Sequence, residues 1–154
     1  MKLNIIASLV AALVIAGSVG CAGRVSLLPN SDKTLNRTPA QFASDAAKRT
    51  YPAELPDGGA AEARAWVAYD ANNIQILNNS EEDWNDVEIW VNHKYVVCAP
   101  RIEAGKKRVK TITFMMLYDD QGNAFPTDNR KQMIESLELI KADTKYSIPL
   151  AMAD

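Results

Sequence analysis

Reactive side chains are scarce in this chain of 154 residues, which has two cysteines, one histidine and only 7% aromatic residues. Two cysteines cannot build a disulfide framework, and together with one histidine they fall short of the four ligands that a structural zinc site takes. An excess of positive charge is also missing: 17 basic residues stand against 19 acidic ones, for a net charge of −2. With a pI of about 5.5 there is no positive field to gather phosphates, which excludes a dedicated nucleic-acid binder. What remains, 47% hydrophobic and 23% charged with 7 Gly and 7 Pro, is globular composition, and the length allows one domain.

The apolar residues are unevenly placed. Lys2 is the only charge before a run at residues 5–16 whose single polar side chain is Ser8. These are the n-region and h-region of an export signal, so residues 1–20 read as a signal peptide. A permanent membrane helix needs roughly 20 apolar residues, more than residues 5–20 supply before their glycines. The order that follows, Gly17-Ser18-Val19-Gly20 and then Cys21, resembles the lipobox of bacterial lipoproteins. That resemblance implies cleavage between Gly20 and Cys21 and alkylation of the Cys21 thiol with diacylglycerol, which carries long acyl chains such as palmitate. Ser18 departs from the branched apolar residue usual there, which leaves ordinary signal cleavage after Gly20 or Ala22 open. Each buried CH₂ contributes about 0.8 kcal/mol, so two or more acyl chains would hold the protein at a membrane through Cys21. Ala22, where an Asp would imply retention at the inner membrane, favours the outer membrane, with the domain on its periplasmic side.

Residues 21–37 are polar and aperiodic and read as a flexible, lipid-attached tether of roughly 20 to 24 Å root-mean-square length. Thr38-Pro39-Ala40-Gln41 then supplies an N-cap, a proline in the first turn and a capping-box Gln. The spacing predicts a short helix over residues 39–49 that docks its Phe42 face on a domain, since a helix this short is unstable alone. Two prolines and a Gly-Gly at residues 51–59 predict an extended connector, giving residues 38–60 as helix and connector.

From residue 61 the period becomes two. Arg64, Trp66 and Ala68 alternate with Ala65 and Val67, Ile74 and Ile76 with Gln75 and Leu77, and Val87, Ile89 and Val91 with Glu88 and Trp90. Asn92-His93-Lys94 turns this strand into residues 95–99, with Val91 and Tyr95 on adjacent hairpin arms. Residues 106–118 read as one strand, bulged near Thr111, and residues 133–140 as another that turns at Ala142-Asp143-Thr144 into a last strand at 145–151. About seven short strands predict a mainly β fold, a β-sandwich over residues 61–154 preceded by the short helix and tether.

The stretch Ile76-Leu77-Asn78-Asn79-Ser80, then Asp83-Trp84-Asn85-Asp86-Val87-Glu88-Ile89-Trp90-Val91-Asn92, Lys94-Tyr95, Gly105 and the turn Tyr118-Asp119-Asp120-Gln121-Gly122-Asn123, is similar to small bacterial envelope lipoproteins of unassigned function. The resemblance covers roughly residues 38–154. It implies an envelope location and an immunoglobulin- or fibronectin-type-III-like sandwich, and it brings no catalytic residues, cofactor or metal. His93 stands where those relatives often have Gly.

Candidate chemistry is thin. His93 at a hairpin tip and Cys98 in mid-strand lie too far apart along the chain to form a nucleophile pair, so Cys98 reads as a small core residue and His93 as a turn residue accepting positive φ. Without acylation of Cys21, a Cys21–Cys98 disulfide becomes possible. Glu81, Glu82, Asp83 and Asp86, and Asp119 with Asp120, lack the alternating pattern that wraps calcium. Lys106, Arg108 and Lys110 fall on one face of the predicted strand and, with an exposed Trp90, form the candidate binding face, suited to an envelope protein or an anionic glycan. The same charges also keep an edge strand from aggregating. The leading expectation is therefore a lipid-anchored, non-catalytic envelope protein with a binding or structural role. The alternative is an exported envelope enzyme, a hydrolase, and a pocket joining Cys98 to two carboxylates would overturn the non-catalytic choice.

Overall fold

The computed structural model describes residues 32–105, 108–127 and 133–152. The signal peptide, Gly20, Cys21 and Lys106 lie outside the described residues.

Among the described residues nine strands form two facing sheets: β1 (Asp57–Ala60), β2 (Ala63–Ala68), β3 (Asn73–Asn78), β4 (Trp84–Val91), β5 (Tyr95–Ile102), β6 (Val109–Thr113), β7 (Leu137–Lys141), β8 (Thr144–Ser147) and β9 (Leu150–Met152). One sheet has the order β1-β8-β7-β4-β5 and the other β6-β3-β2-β9. Strands β2, β3 and β6 thus oppose β5, β4, β7 and β8, the crossed order of an immunoglobulin-type sandwich. The two strands beyond the expected seven are short additions in parallel pairing. Strand β1, in the stretch read as connector, joins β8, and β9 joins β2. The single strand expected at 145–151 is split by Pro149, which has no N–H for a ladder, and there the chain crosses from one sheet to the other. The sandwich therefore starts at Asp57. Gly58 is required in β1, because a Cβ there would lie 2.2 Å from the Tyr146 ring.

Alternation places Ala65, Val67, Ile74, Ile76, Val87, Ile89, Val91, Val97, Ala99, Leu137 and Leu139 in the core between the sheets. The two hairpins follow the predicted turns. Asn92 and His93 (φ 52° and 55°) and Ala142 and Asp143 (φ 48° and 57°) are paired left-handed residues, which match the twist of the flanking strands. In β4 the alternation slips once: Asp86 takes φ 50° opposite Pro100, and Trp84 is turned into the core with its partner Ile102. The strand expected over residues 106–118 ends at Thr113. A 3-10 turn at Phe114–Met116 follows, burying Phe114 and Met116 and exposing Met115; this turn, rather than a bulge near Thr111, changes the apolar parity.

Helix α1 (Pro39–Ala46) is three residues shorter than expected and has the predicted capping box: Gln41 N–H donates to Thr38 Oγ1 (3.2 Å) and Thr38 N–H to Gln41 Oε1 (2.8 Å). It docks through buried Phe42 and Ala46 and packs on β5. Residues 32–37, read as the end of a free tether, belong to the fold. Leu35, in a 3-10 turn at Lys33–Leu35, is wholly buried, and Asp32 pairs with Lys110.

Candidate functional site

The binding face expected from the sequence is not assembled. Trp90 is 1% exposed: it points away from the core between the sheets, as alternation requires, but helix α1 and the connector cover it. Its ring meets Tyr51 edge-on at 5.4 Å and its Nε1–H donates to Glu88 Oε2 (2.9 Å). Lys110 is 6% exposed, because it shares the inward face of β6 with Ile112 and lies under the Asp32 segment. Arg108 is exposed but precedes the strand and pairs with Glu103. Of the charges expected to form one stripe, Lys110 therefore goes to an internal ion pair and Arg108 to a loop ion pair.

The covered face around Trp90 carries a cluster of paired polar groups. Glu88 Oε1 accepts from Arg49 Nε (2.9 Å), and Glu138, 8% exposed beside Trp90, accepts from the Tyr51 hydroxyl (2.7 Å). Burial and the neighbouring Glu138 carboxylate hold the Tyr51 phenol protonated well above its ordinary range. His93, exposed at its hairpin tip, leans on Tyr51 with ring centroids 4.8 Å apart and brings Nε2 to 3.5 Å from Glu138 Oε1. Arg49 and Tyr51, from the segment after α1, thereby fasten that segment to the sheet.

Beside this cluster a cleft of about 150 Å³ joins Cys98 to Asp86 and Glu88, with Arg49 on its rim. This is the pocket set to overturn the non-catalytic choice, and its geometry is present, but the chemistry of its groups opposes an activated nucleophile. Burial pushes the Cys98 thiol up to about 11, the reverse of an activated nucleophile, and both Glu88 oxygens are held in hydrogen bonds. Cys98 is also half-buried rather than a full core residue. In the native protein at pH 8, Cys98 is expected to react with iodoacetamide about a hundredfold more slowly than an ordinary exposed thiol. Mass spectrometry of the modified peptide over a pH series checks this, and a rate already at plateau by pH 8 would show an activated thiolate instead.

The acidic loops serve the fold. Asp83 pairs with Arg101 and accepts from Ala104 N–H (2.7 Å). Asp119, 2% exposed, accepts from the backbone of Gln121 (3.0 Å) and Asn123 (2.8 Å) and from the Asn123 amide (3.0 Å). Among the described residues no cluster of His, Cys, Asp and Glu is placed to hold a metal.

The tryptophan that does reach the surface is Trp66. On the outer face of the β6-β3-β2-β9 sheet it stands with Arg64, Leu77 and Asn79 around an open groove of about 370 Å³. Strand register explains the grouping: Arg64 faces Leu77 across the ladder, Trp66 faces Gln75, and on its other side Trp66 is paired with Ala151, too small to cover an indole. Trp66 and Leu77 are half-buried, Arg64, Gln75 and Asn79 exposed. Helix α1, which covers Trp90, packs on β5 in the opposite sheet. The signal for this site is in the sequence: Arg64 marks the outward row of β2, and Trp66 shares that row while Ala63, Ala65 and Val67 fill the buried one.

Comparison of the chain with known protein families, curated proteins and solved structures finds no match.

Proposed function

We propose that this protein is a lipid-anchored, non-catalytic component of the bacterial cell envelope whose sandwich binds a partner through the open face of the β6-β3-β2-β9 sheet. The observation that carries the binding role is Trp66, an indole kept at the surface beside Arg64 and Asn79 in an open groove. Tryptophan and arginine side chains concentrate binding energy at interfaces. Anchoring is supported by the run at residues 5–16, the small residues before Cys21 and the cysteine itself. The resemblance to envelope lipoproteins points the same way, to the outer membrane and its periplasmic side. A non-catalytic role is supported by the engagement of Glu88, Glu138 and Asp119 in hydrogen bonds that hold the fold.

In cells fed an alkynyl fatty acid, the wild-type protein is expected to take up label and to sediment with membranes, and Cys21→Ala to lose both properties. Absence of label on the wild type, or equal label on Cys21→Ala, would overturn the anchoring.

A further inference from the structure

We infer that the groove around Trp66 takes a polysaccharide strand bearing carboxylates. The inference rests on the reading of this face as the binding surface and names what occupies it. A half-buried indole that lines an open groove beside Leu77 offers the flat apolar surface on which the C–H face of a sugar ring stacks. Around it stand two side-chain amides, Asn79 and Gln75, each able to donate and accept at once, as vicinal hydroxyls and N-acetyl groups require.

A surface built for another protein has a different make-up: an apolar, largely desolvated centre with charges at the rim. Here the apolar part is a thin row, the Trp66 indole, Leu77 and the exposed Val109 that pairs with Leu77 in the ladder, none of it fully buried, and the side-chain amides of Gln75 and Asn79 stand along it. Among the described residues the one charged side chain lining the groove is Arg64, which makes no ion pair with any of them. Its planar fork matches a carboxylate in bidentate fashion, so a strand with carboxylates at intervals along its sugars satisfies both the indole and the cation. The groove lies open along a sheet face, a shape for a linear chain passing over the protein rather than for an enclosed small molecule.

Trp84 and Trp90 are 4% and 1% exposed, so Trp66 is the indole that a ligand or quencher can reach, and its fluorescence reports on the groove alone. The test uses the full-length protein purified from membranes in mild detergent. It is titrated with peptide-free glycan strands prepared from peptidoglycan, which carry lactyl carboxylates, and with the neutral chitin tetramer. The glycan strands are expected to shift Trp66 emission and protect it from iodide. Trp66→Ala, measured by co-sedimentation, should weaken their binding at least about tenfold. Arg64→Glu, a change at an exposed position that leaves the core intact, should weaken the carboxylated strands about tenfold and the chitin tetramer less than about twofold.

No binding of either glycan, or binding indifferent to both substitutions, overturns the proposal. Equal losses for the charged and neutral glycans in Arg64→Glu overturn the carboxylate requirement. A photo-crosslinking residue in place of Gln75 separates the two levels of the argument in intact cells. Adducts to a discrete protein would leave the face as a binding surface and overturn its glycan occupant, whereas the absence of any adduct, together with no glycan binding, would overturn both.

Discussion

Trp90→Ala is expected to lower the free energy of unfolding by about 3–5 kcal/mol, the range for emptying a buried large aromatic site. The side chain is 1% exposed and forms a second core with Ala46 of α1 and Val96 of β5, flanked by Tyr51, Tyr118 and Ile140. Its loss opens a cavity under the helix and removes the edge-on contact with Tyr51. It also takes away the N–H that satisfies one oxygen of Glu88, whose other oxygen holds Arg49. Because Arg49 and Tyr51 fasten the segment after α1, the damage should appear first there. Trp90→Phe fills most of the volume and loses only the donor, so its cost should be about 1–2 kcal/mol. Urea unfolding followed by circular dichroism gives the two free energies, and hydrogen exchange locates the opening. A loss below about 1 kcal/mol for Trp90→Ala would mean that the helix and connector do not seal this face.

The contrast between Trp66 and Trp90 shows how far the sequence could be read. Each lies in a strand with a charged residue two positions before it, Arg64 and Glu88, and alternation correctly sets both on the outward side of their sheets. Alternation is a local property of one strand and says which sheet face a residue occupies, but not whether another element lies over that face. Among the described elements helix α1 covers one sheet and none covers the other, and this follows from contacts between residues tens of positions apart, such as Arg49 with Glu88 and Tyr51 with Glu138. The same limit accounts for Lys110. Its side chain follows the inward parity of Ile112, and a lysine there is tolerable only because Asp32, distant in sequence, folds back to meet it. Capping, hairpin turns and core rows were legible because each is fixed within a few residues. The short strands β1 and β9 were not, since both exist by parallel pairing with strands far along or far back in the chain.

Asp32→Ala should be the more damaging half of an asymmetric pair. Removing the carboxylate leaves the Lys110 ammonium, 5% exposed at the side chain, buried without its partner, and the expected cost is about 2–3 kcal/mol. It stays at the lower end for a broken buried pair because the Lys33–Leu35 turn can lift away and let water reach Lys110, giving up the burial of Leu35 instead. Lys110→Met removes the charge and keeps the volume, while the roughly one-third exposed Asp32 remains partly hydrated, so the cost should be within about 1 kcal/mol. The pair also carries a pH signature. Partial burial raises the Asp32 carboxyl, but hydrogen bonds from Lys110 and Thr34 and the lysine charge outweigh it and hold the group below its ordinary range. A carboxyl depressed in the folded state contributes stability above its unfolded value of about 3.9, and that contribution is lost as pH falls through the lower, folded value. The stability difference between the wild type and Asp32→Ala should therefore be full near pH 6 and shrink below about pH 4. Trypsin gives an independent readout at neutral pH, since cleavage at Lys33 or Arg37 should accelerate in Asp32→Ala before the sandwich unfolds and should not in Lys110→Met. Equal protease sensitivity of the two variants would show that the segment is held by Leu35 alone and that the ion pair does not decide where the fold begins.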